Sequence, residues 1–182
     1  DILQRRRHDL CGIINGIDTE VWNPEKDDLI ASKYSVKNYV AGKKANKKKI
    51  QKMFDLTDSP NVPLFAFIGR FASQKGLGLL AGAIERAVNS MICQVVILGS
   101  GDEDAQWYFG GLPAKYSGVV GAYIGYDEAR SHLIEAGSDF FLMPSLYEPC
   151  GLSQIISMRY GTVPIVRETG GLKDTVEAFD EY

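Results

Sequence analysis

The sequence predicts an α/β domain in which a parallel sheet is covered by helices on both faces, and three observations carry that reading. Short apolar runs recur at Pro63–Gly69, Gln94–Leu98, Val119–Ile124, Phe140–Met143 and Val163–Val166. They are apolar throughout rather than alternating with polar residues, which is the pattern of strands buried on both faces. Helical candidates lie between them, and parallel neighbours need such crossover connections.

Taken in order, the opening through Pro24 has little helical periodicity. CGIINGIDTEVWNP holds the turn signal Asn15-Gly16 and closes on Trp22 and Pro24, so it reads as a strand end entering a loop. From Lys37 to Lys52 the chain is rich in lysine, with Ala41, Ala45, Ile50 and Phe54 suited to one helix face and lysines covering the others. A surface helix is expected there, its lysines either a solvated face or a patch for phosphate or glucan. PLFAFIG is the first buried strand, and GLGLLAGAIERAV after it places Leu77, Leu80, Ile84 and Val88 at helical spacing. QVVIL repeats the pattern and stops at Gly99-Ser100-Gly101-Asp102, and two further runs follow in the same way. The last strand, Val163–Val166, follows Gly161 and runs into Gly170-Gly171. The order of elements is Rossmann-like.

Composition narrows the partners. The chain has 182 residues, 45% hydrophobic and 24% charged, enough apolar content for one globular domain with a real core. A formal net charge of -3 gives no general attraction to nucleic acid or anionic lipid. Cys11, Cys93 and Cys150 are too few and too scattered for a disulfide framework, and no Cys/His cluster has zinc-ligand spacing, so no metal is expected. No apolar run approaches the roughly 20 residues that span a bilayer, and DILQRRRHDL lacks the apolar middle of a secretory signal. A soluble protein in a reducing, intracellular compartment is expected.

In a parallel α/β sheet, ligands collect outside the carboxyl ends of the strands, so the residues just after the apolar runs are the candidates. Arg70 and Lys75 in GRFASQKG put two cations beside a glycine-containing loop that enters a helix. Arg offers a planar fork and Lys a point charge to phosphate oxygens, while a helix start adds free N–H groups, and the pair reads as a diphosphate clamp or as two surface cations. Gly99, Ser100 and Gly101 permit close backbone approach to a nucleotide or form a plain strand-to-helix turn. Tyr126 in IGYDEA offers a ring for stacking on a base, or is a structural tyrosine. The strongest local signal is MPSLYEPCGLSQIISMRYGTVPIV. There a buried strand ends at Pro144, Glu148 sits in the next turn, and Gly151-Leu152-Ser153 opens a helix. An acid beside a phosphate-binding helix start repels phosphate. It is explained by sugar hydroxyls or a positively charged sugar, or by capping of the helix. Cys150 has neither His8 nor His132 beside it in sequence and reads as an ordinary thiol. His132, on a helix near the proposed site, reads as structural.

NGID…VWNP, GRFASQKG, LGSGD, IGYDEA, SLYEPCGLSQ and YGTVPIVRETGGLKDTV occur in an order that resembles bacterial glycogen synthases and plant starch synthases, across almost the whole chain. EPCGL and YGTVPIVRETGGLKDTV are the specific signals; GSGD is not. The resemblance implies the GT-B architecture of two Rossmann-like domains with the active site between them. This chain then corresponds to the C-terminal domain, with residues 1–24 as hinge segment and 25–182 as the nucleotide-sugar-binding domain, short of the closing helices. It also implies transfer of glucose from ADP-glucose to the non-reducing end of an α-1,4-glucan with retention at the anomeric carbon, in the cytoplasm or, for a plant or alga, the plastid stroma.

Carried over by position, the resemblance makes Arg70 and Lys75 the cations that neutralise the leaving diphosphate and Tyr126 the ring on adenine. Glu148 becomes the glutamate that contacts glucose and stabilises its transition state. The backbone of Cys150, Gly151 and Leu152, with Ser153, becomes the sugar- and phosphate-contacting turn. Neighbouring families carry a ribose-binding acid eight positions after the glutamate, where this chain has Ile156. The N-terminal acceptor domain of the family is absent from the sequence. Three other readings compete: a dehydrogenase, which lacks its GxGxxG fingerprint with an acid about 20 residues on, a non-catalytic nucleotide- or glucan-binding module, and a related GT-B transferase that uses another nucleotide sugar.

Overall fold

The five apolar runs form one parallel sheet. The computed structural model describes residues 2–179. Its strands are β1 (Leu64–Phe71), β2 (Gln94–Gly101), β3 (Val120–Ile124), β4 (Phe140–Met143) and β5 (Val163–Val166), in the order β3-β2-β1-β4-β5. The helices are α1 (Ile2–Arg5), α2 (Tyr39–Met53), α3 (Leu77–Ser90), α4 (Glu103–Lys115), α5 (Glu128–Gly137), α6 (Ser153–Arg159) and α7 (Gly170–Thr175). Alternate strand residues feed opposite faces, as the pleat requires. Leu64, Ala66, Val96 and Leu98 pack with Ile50 of α2 and with Leu133 and Ile134 of α5. Phe67, Val95 and Ile97 pack on the other side with Leu80 and Ile84 of α3 and with Phe109 and Leu112 of α4. Among the described residues, no helix is long and apolar enough to cross a membrane.

Two local expectations need correction. No strand forms between Cys11 and Pro24; the backbone there is irregular, Ile13 is exposed, and side chains supply the turns. Asp18 Oδ1 accepts from Glu20 N–H and Val21 N–H, and Asn23 Oδ1 accepts from Glu25 N–H, so local polar side chains take the bonds a ladder would have used. The lysine-rich helix forms as α2, but its inner face is Gly42, Asn46, Lys47, Ile50 and Gln51, while Ala41 and Ala45 are exposed. Polar residues turn inward because partners await them. Lys47 Nζ lies 2.7 Å from Asp139 Oδ2, and Lys43 Nζ donates to the carbonyls of Ala136 and Tyr160 and to Thr162 Oγ1. Of this lysine run, two members hold the fold together.

A buried polar layer ties the irregular segment 17–38 to α5 and α6. His132 Nδ1–H donates to Asp27 Oδ2 at 2.8 Å, the Tyr160 hydroxyl donates to the same oxygen, and Trp22 stacks on the imidazole with centroids 3.9 Å apart. The structural reading of His132 is the one its contacts support. Close by, Glu135 accepts from Ser157 Oγ in full burial, and burial pushes its carboxyl up to about 8, against smaller opposing effects of Ser157 and Lys43. Burial also pulls Lys43 down to about 8. For Glu135 the sign is clear: between its ordinary 4.5 and about 8 the folded chain holds a proton the unfolded chain has lost. That contribution is fully present below the ordinary value and is lost as pH rises through the folded one. Lys43 acts only above that window, where stability present at higher pH is lost as pH falls through about 8. Glu135→Gln keeps an acceptor for Ser157 and has no proton to lose. It should flatten the fall in Tm between about pH 5 and about pH 8, and a Tm profile unchanged from wild type contradicts the assignment.

Candidate functional site

The strand order defines where a ligand sits. From β1 the chain winds outward through β2 to β3, then returns across the sheet to β4 and β5. The crevice between the carboxyl ends of β1 and β4 is therefore the topological switch point, the general ligand position of such sheets. Lys75 follows β1 and Glu148 follows β4. They meet there, with Lys75 Nζ 2.6 Å from Glu148 Oε2 and side chains 20% and 10% exposed, so the ion pair is largely withdrawn from water.

The two loops that carry this pair are joined along their length. Leu146 N–H donates to Gln74 O at 2.8 Å, and Gln74 Nε2 donates back to Tyr147 O. Gly76 ends the short 3-10 turn Ser73–Lys75 at φ 67, and a Cβ there would stand 2.1 Å from Pro144 O. Only glycine lets the loops approach so closely in that conformation. Ser145, 1% exposed, adds its hydroxyl to Glu148 Oε2 at 3.1 Å. The backbone of Glu148 is fixed from behind, where its carbonyl accepts Gly171 N–H from α7.

Beyond Glu148 the chain turns at Gly151 (φ 76) into α6, with Ser153 as its first residue. The N–H groups of Gly151, Leu152 and Ser153 donate to no described residue, as expected at a helix start, and offer partners to an anion. Gln154 orients this turn: wholly buried, its Nε2 donates to Cys150 O, Gly151 O and Thr175 Oγ1. With both carbonyls held inward, the turn presents its N–H side outward.

The remaining candidates lie along the same carboxyl edge. Arg70, exposed, pairs in register with Ser100 of β2, and among the described residues it has no carboxylate partner, which leaves its guanidinium for an incoming anion. Tyr126 follows β3 and is 82% exposed, a ring open to a stacking partner. Gly99 and Gly101 belong to the last turn of strand β2 rather than to a loop, and Asp102 caps α4 by accepting Ala105 N–H. A Cβ on Gly99 would stand 2.2 Å from Gly69 O and one on Gly101 2.4 Å from Phe71 O, so contact with β1 already requires glycine at both. Cys150 Sγ accepts Asn15 N–H at 3.3 Å and has no histidine partner; the contact brings the NGID loop to the site. Ile156 packs in a core cluster with Tyr34 and Tyr160, away from any ribose-binding role. Among the described residues, no group of His, Cys, Asp and Glu is placed to hold a metal ion.

The residues that sequence reasoning passed over are Gln74, Ser145, Gln154 and Thr175. Gln74 and Thr175 act through contacts to other segments, and Ser145 and Gln154 act chiefly on site residues three or four positions away. A polar residue in the loop that follows a buried strand, as at Ser145 beyond Pro144, is the one local sign of such residues.

Sheet order and switch point place the site, and comparison with known proteins gives the family. Residues 62–181 match the family described as Glycosyl transferases group 1, and the chain belongs to that family. More particularly, it is similar to Glycogen synthase 1 of Geobacter sulfurreducens, with 51% identity over 180 residues that make up 99% of this chain and 36% of that protein. It is 48% identical to the glycogen synthase of Geobacillus stearothermophilus over 99% of this chain and 37% of that one. Among solved structures, the catalytic domain of Starch Synthase IV from Arabidopsis thaliana bound to ADP and acarbose matches with a TM-score of 0.91 and 40% identity, over 99% of this chain and 37% of that chain. The chain thus spans a little over a third of the length of the curated relatives it matches. Anabaena Alr3699/HepE in complex with UDP-glucose, at a TM-score of 0.65 and 15% identity, shares the fold.

Proposed function

We propose that this chain is the donor-binding half of a retaining glucosyltransferase that moves glucose from ADP-glucose to the non-reducing end of an α-1,4-glucan. The observation that carries the reading is the Lys75–Glu148 pair at the switch point, beside the free N–H groups that open α6. Breaking the bond between the anomeric carbon and the diphosphate separates a positive sugar from a negative leaving group. A site that serves this step needs fixed charges of both signs a few ångströms apart. Arg70, Lys75 and the N–H groups of Gly151, Leu152 and Ser153 meet the diphosphate, and Glu148 faces the sugar. Tyr126 stacks on adenine, and Ser100 with the Gly99 and Gly101 backbone borders the nucleotide. Cys150 contributes backbone rather than its thiol. The choice of ADP rests on the starch synthase structure that holds ADP, and the choice of glucan on the glycogen and starch synthases the chain resembles.

In this reading residues 1–24 are the hinge to an acceptor-binding domain in the longer relatives, and the enzyme works in the cytoplasm, or in the plastid stroma of a plant or alga. The cleft closes only when the second domain faces the carboxyl edge of the sheet. The test follows from that geometry. The full-length enzyme should elongate glycogen from ADP-glucose with new α-1,4 links, detected by NMR of the product, and the chain of 182 residues by itself should not. Robust elongation by the isolated chain, or none by the full-length enzyme, contradicts the proposal.

A further inference from the structure

The two oxygens of Glu148 are not equivalent. Lys75 Nζ at 2.6 Å and Ser145 Oγ at 3.1 Å both bind Oε2. Oε1 accepts no hydrogen bond from the described residues and is not sealed from solvent, since it is absent from the wholly enclosed polar atoms that lack a partner. A carboxylate held by one contact still swings about its terminal torsion, which is broad for glutamate. Two donors from different directions on one oxygen fix the plane of the group and leave the other oxygen at a set position. Ser145 is 1% exposed on the loop immediately after β4, so its hydroxyl is itself rigidly placed.

We infer that Ser145 is a positioning residue: its hydroxyl, with Lys75, locks Glu148 through Oε2 and presents Oε1 as the oxygen that meets the sugar. This rests on the reading of Glu148 as the group facing the developing positive charge. A donor to a charged acceptor is stronger than a neutral one, and a small misplacement of a catalytic carboxylate is costly.

The experiment is a double-mutant cycle in the full-length enzyme, reading kcat for glucan elongation and the Kd for ADP. Ser145→Ala should lower kcat by about tenfold to 10²-fold, the range for losing a hydrogen bond to a charged group, with ADP affinity changed less than about twofold. In a Glu148→Gln background the same change should cost less than about twofold, since the hydroxyl acts only through the carboxylate. Ser145→Thr, which keeps the hydroxyl, should recover most of the rate. Should Ser145→Ala fail to fold, the nearly isosteric Ser145→Cys, a poorer donor, carries the same comparison. Unchanged kcat, full additivity with Glu148→Gln, or a parallel loss of ADP affinity overturns the inference. If Glu148→Gln itself leaves kcat intact, the reading beneath it falls instead, and the cycle distinguishes the two failures.

Discussion

Lys75→Ala in the full-length enzyme should lower kcat/KM for glucosyl transfer on the order of 10³-fold, because Lys75 serves two partners. On the donor side, in the proposed reaction, it supplies a cation for the departing diphosphate, in a crevice where low exposure makes each charge count for more than in water. On the protein side it is the ion-pair partner of Glu148 at 2.6 Å, and both side chains are largely buried. Removing one member of such a pair leaves the other charged and unpaired, at a cost of about 3 kcal/mol in stability. The two losses are separable. Adding Glu148→Gln to Lys75→Ala should restore most of the stability, since the stranded charge is gone, while transfer stays as low. Arg70→Ala offers the contrast: Arg70 is exposed and unpaired among the described residues, so its loss should weaken donor handling with little change in Tm. Kinetics with ADP-glucose and thermal melts of the three variants check this. A Lys75→Ala enzyme of near-normal rate removes the diphosphate assignment.

Glu148→Gln should lower kcat on the order of 10²-fold or more. The amide keeps the shape of the side chain and an acceptor for Ser145, so the change is chiefly one of charge. An anion at this position gains nothing from bound ADP, whose charge it opposes. In the proposed reaction it gains when positive charge develops on the glucosyl ring, so its contribution is expected in the transition state. The structure adds a reason for ADP to bind more tightly to the variant. With Glu148 neutral, Lys75 is released from its 2.6 Å ion pair and its full charge is left for the diphosphate.

The features visible in sequence share one property: they are local. Each strand announced itself as a run of buried-type residues, and each candidate site residue as the polar or glycine residue that follows such a run. Arg70, Lys75, Tyr126 and Glu148 all stand at the carboxyl edge for that reason. What the sequence concealed are pairings across distance. Lys75 and Glu148 are 73 residues apart, and only the adjacency of β1 and β4 brings them together. The inner face of α2 was misread because Lys43 and Lys47 find acceptors on segments more than 90 residues away. Local periodicity counts a lysine as solvent-facing whatever its distant partners are. Ser145 and Gln154 escape notice for a different reason: their partners lie only three or four residues away but are other site residues rather than ligand. Gly99 and Gly101 show the converse, where a glycine pattern read for a nucleotide is also demanded by a neighbouring strand.

In the proposed reaction opposite charges at the switch point divide the work, with Lys75 and the α6 start on the diphosphate and Glu148 on the sugar. Calorimetric titration of ADP into wild-type and Glu148→Gln full-length enzyme, run beside glucan elongation on the same preparations, tests it most directly. The expected result is that the variant binds ADP as tightly as wild type or more tightly while kcat falls on the order of 10²-fold or more. A parallel loss of ADP affinity and rate would contradict it and make Glu148 a nucleotide-binding or structural residue.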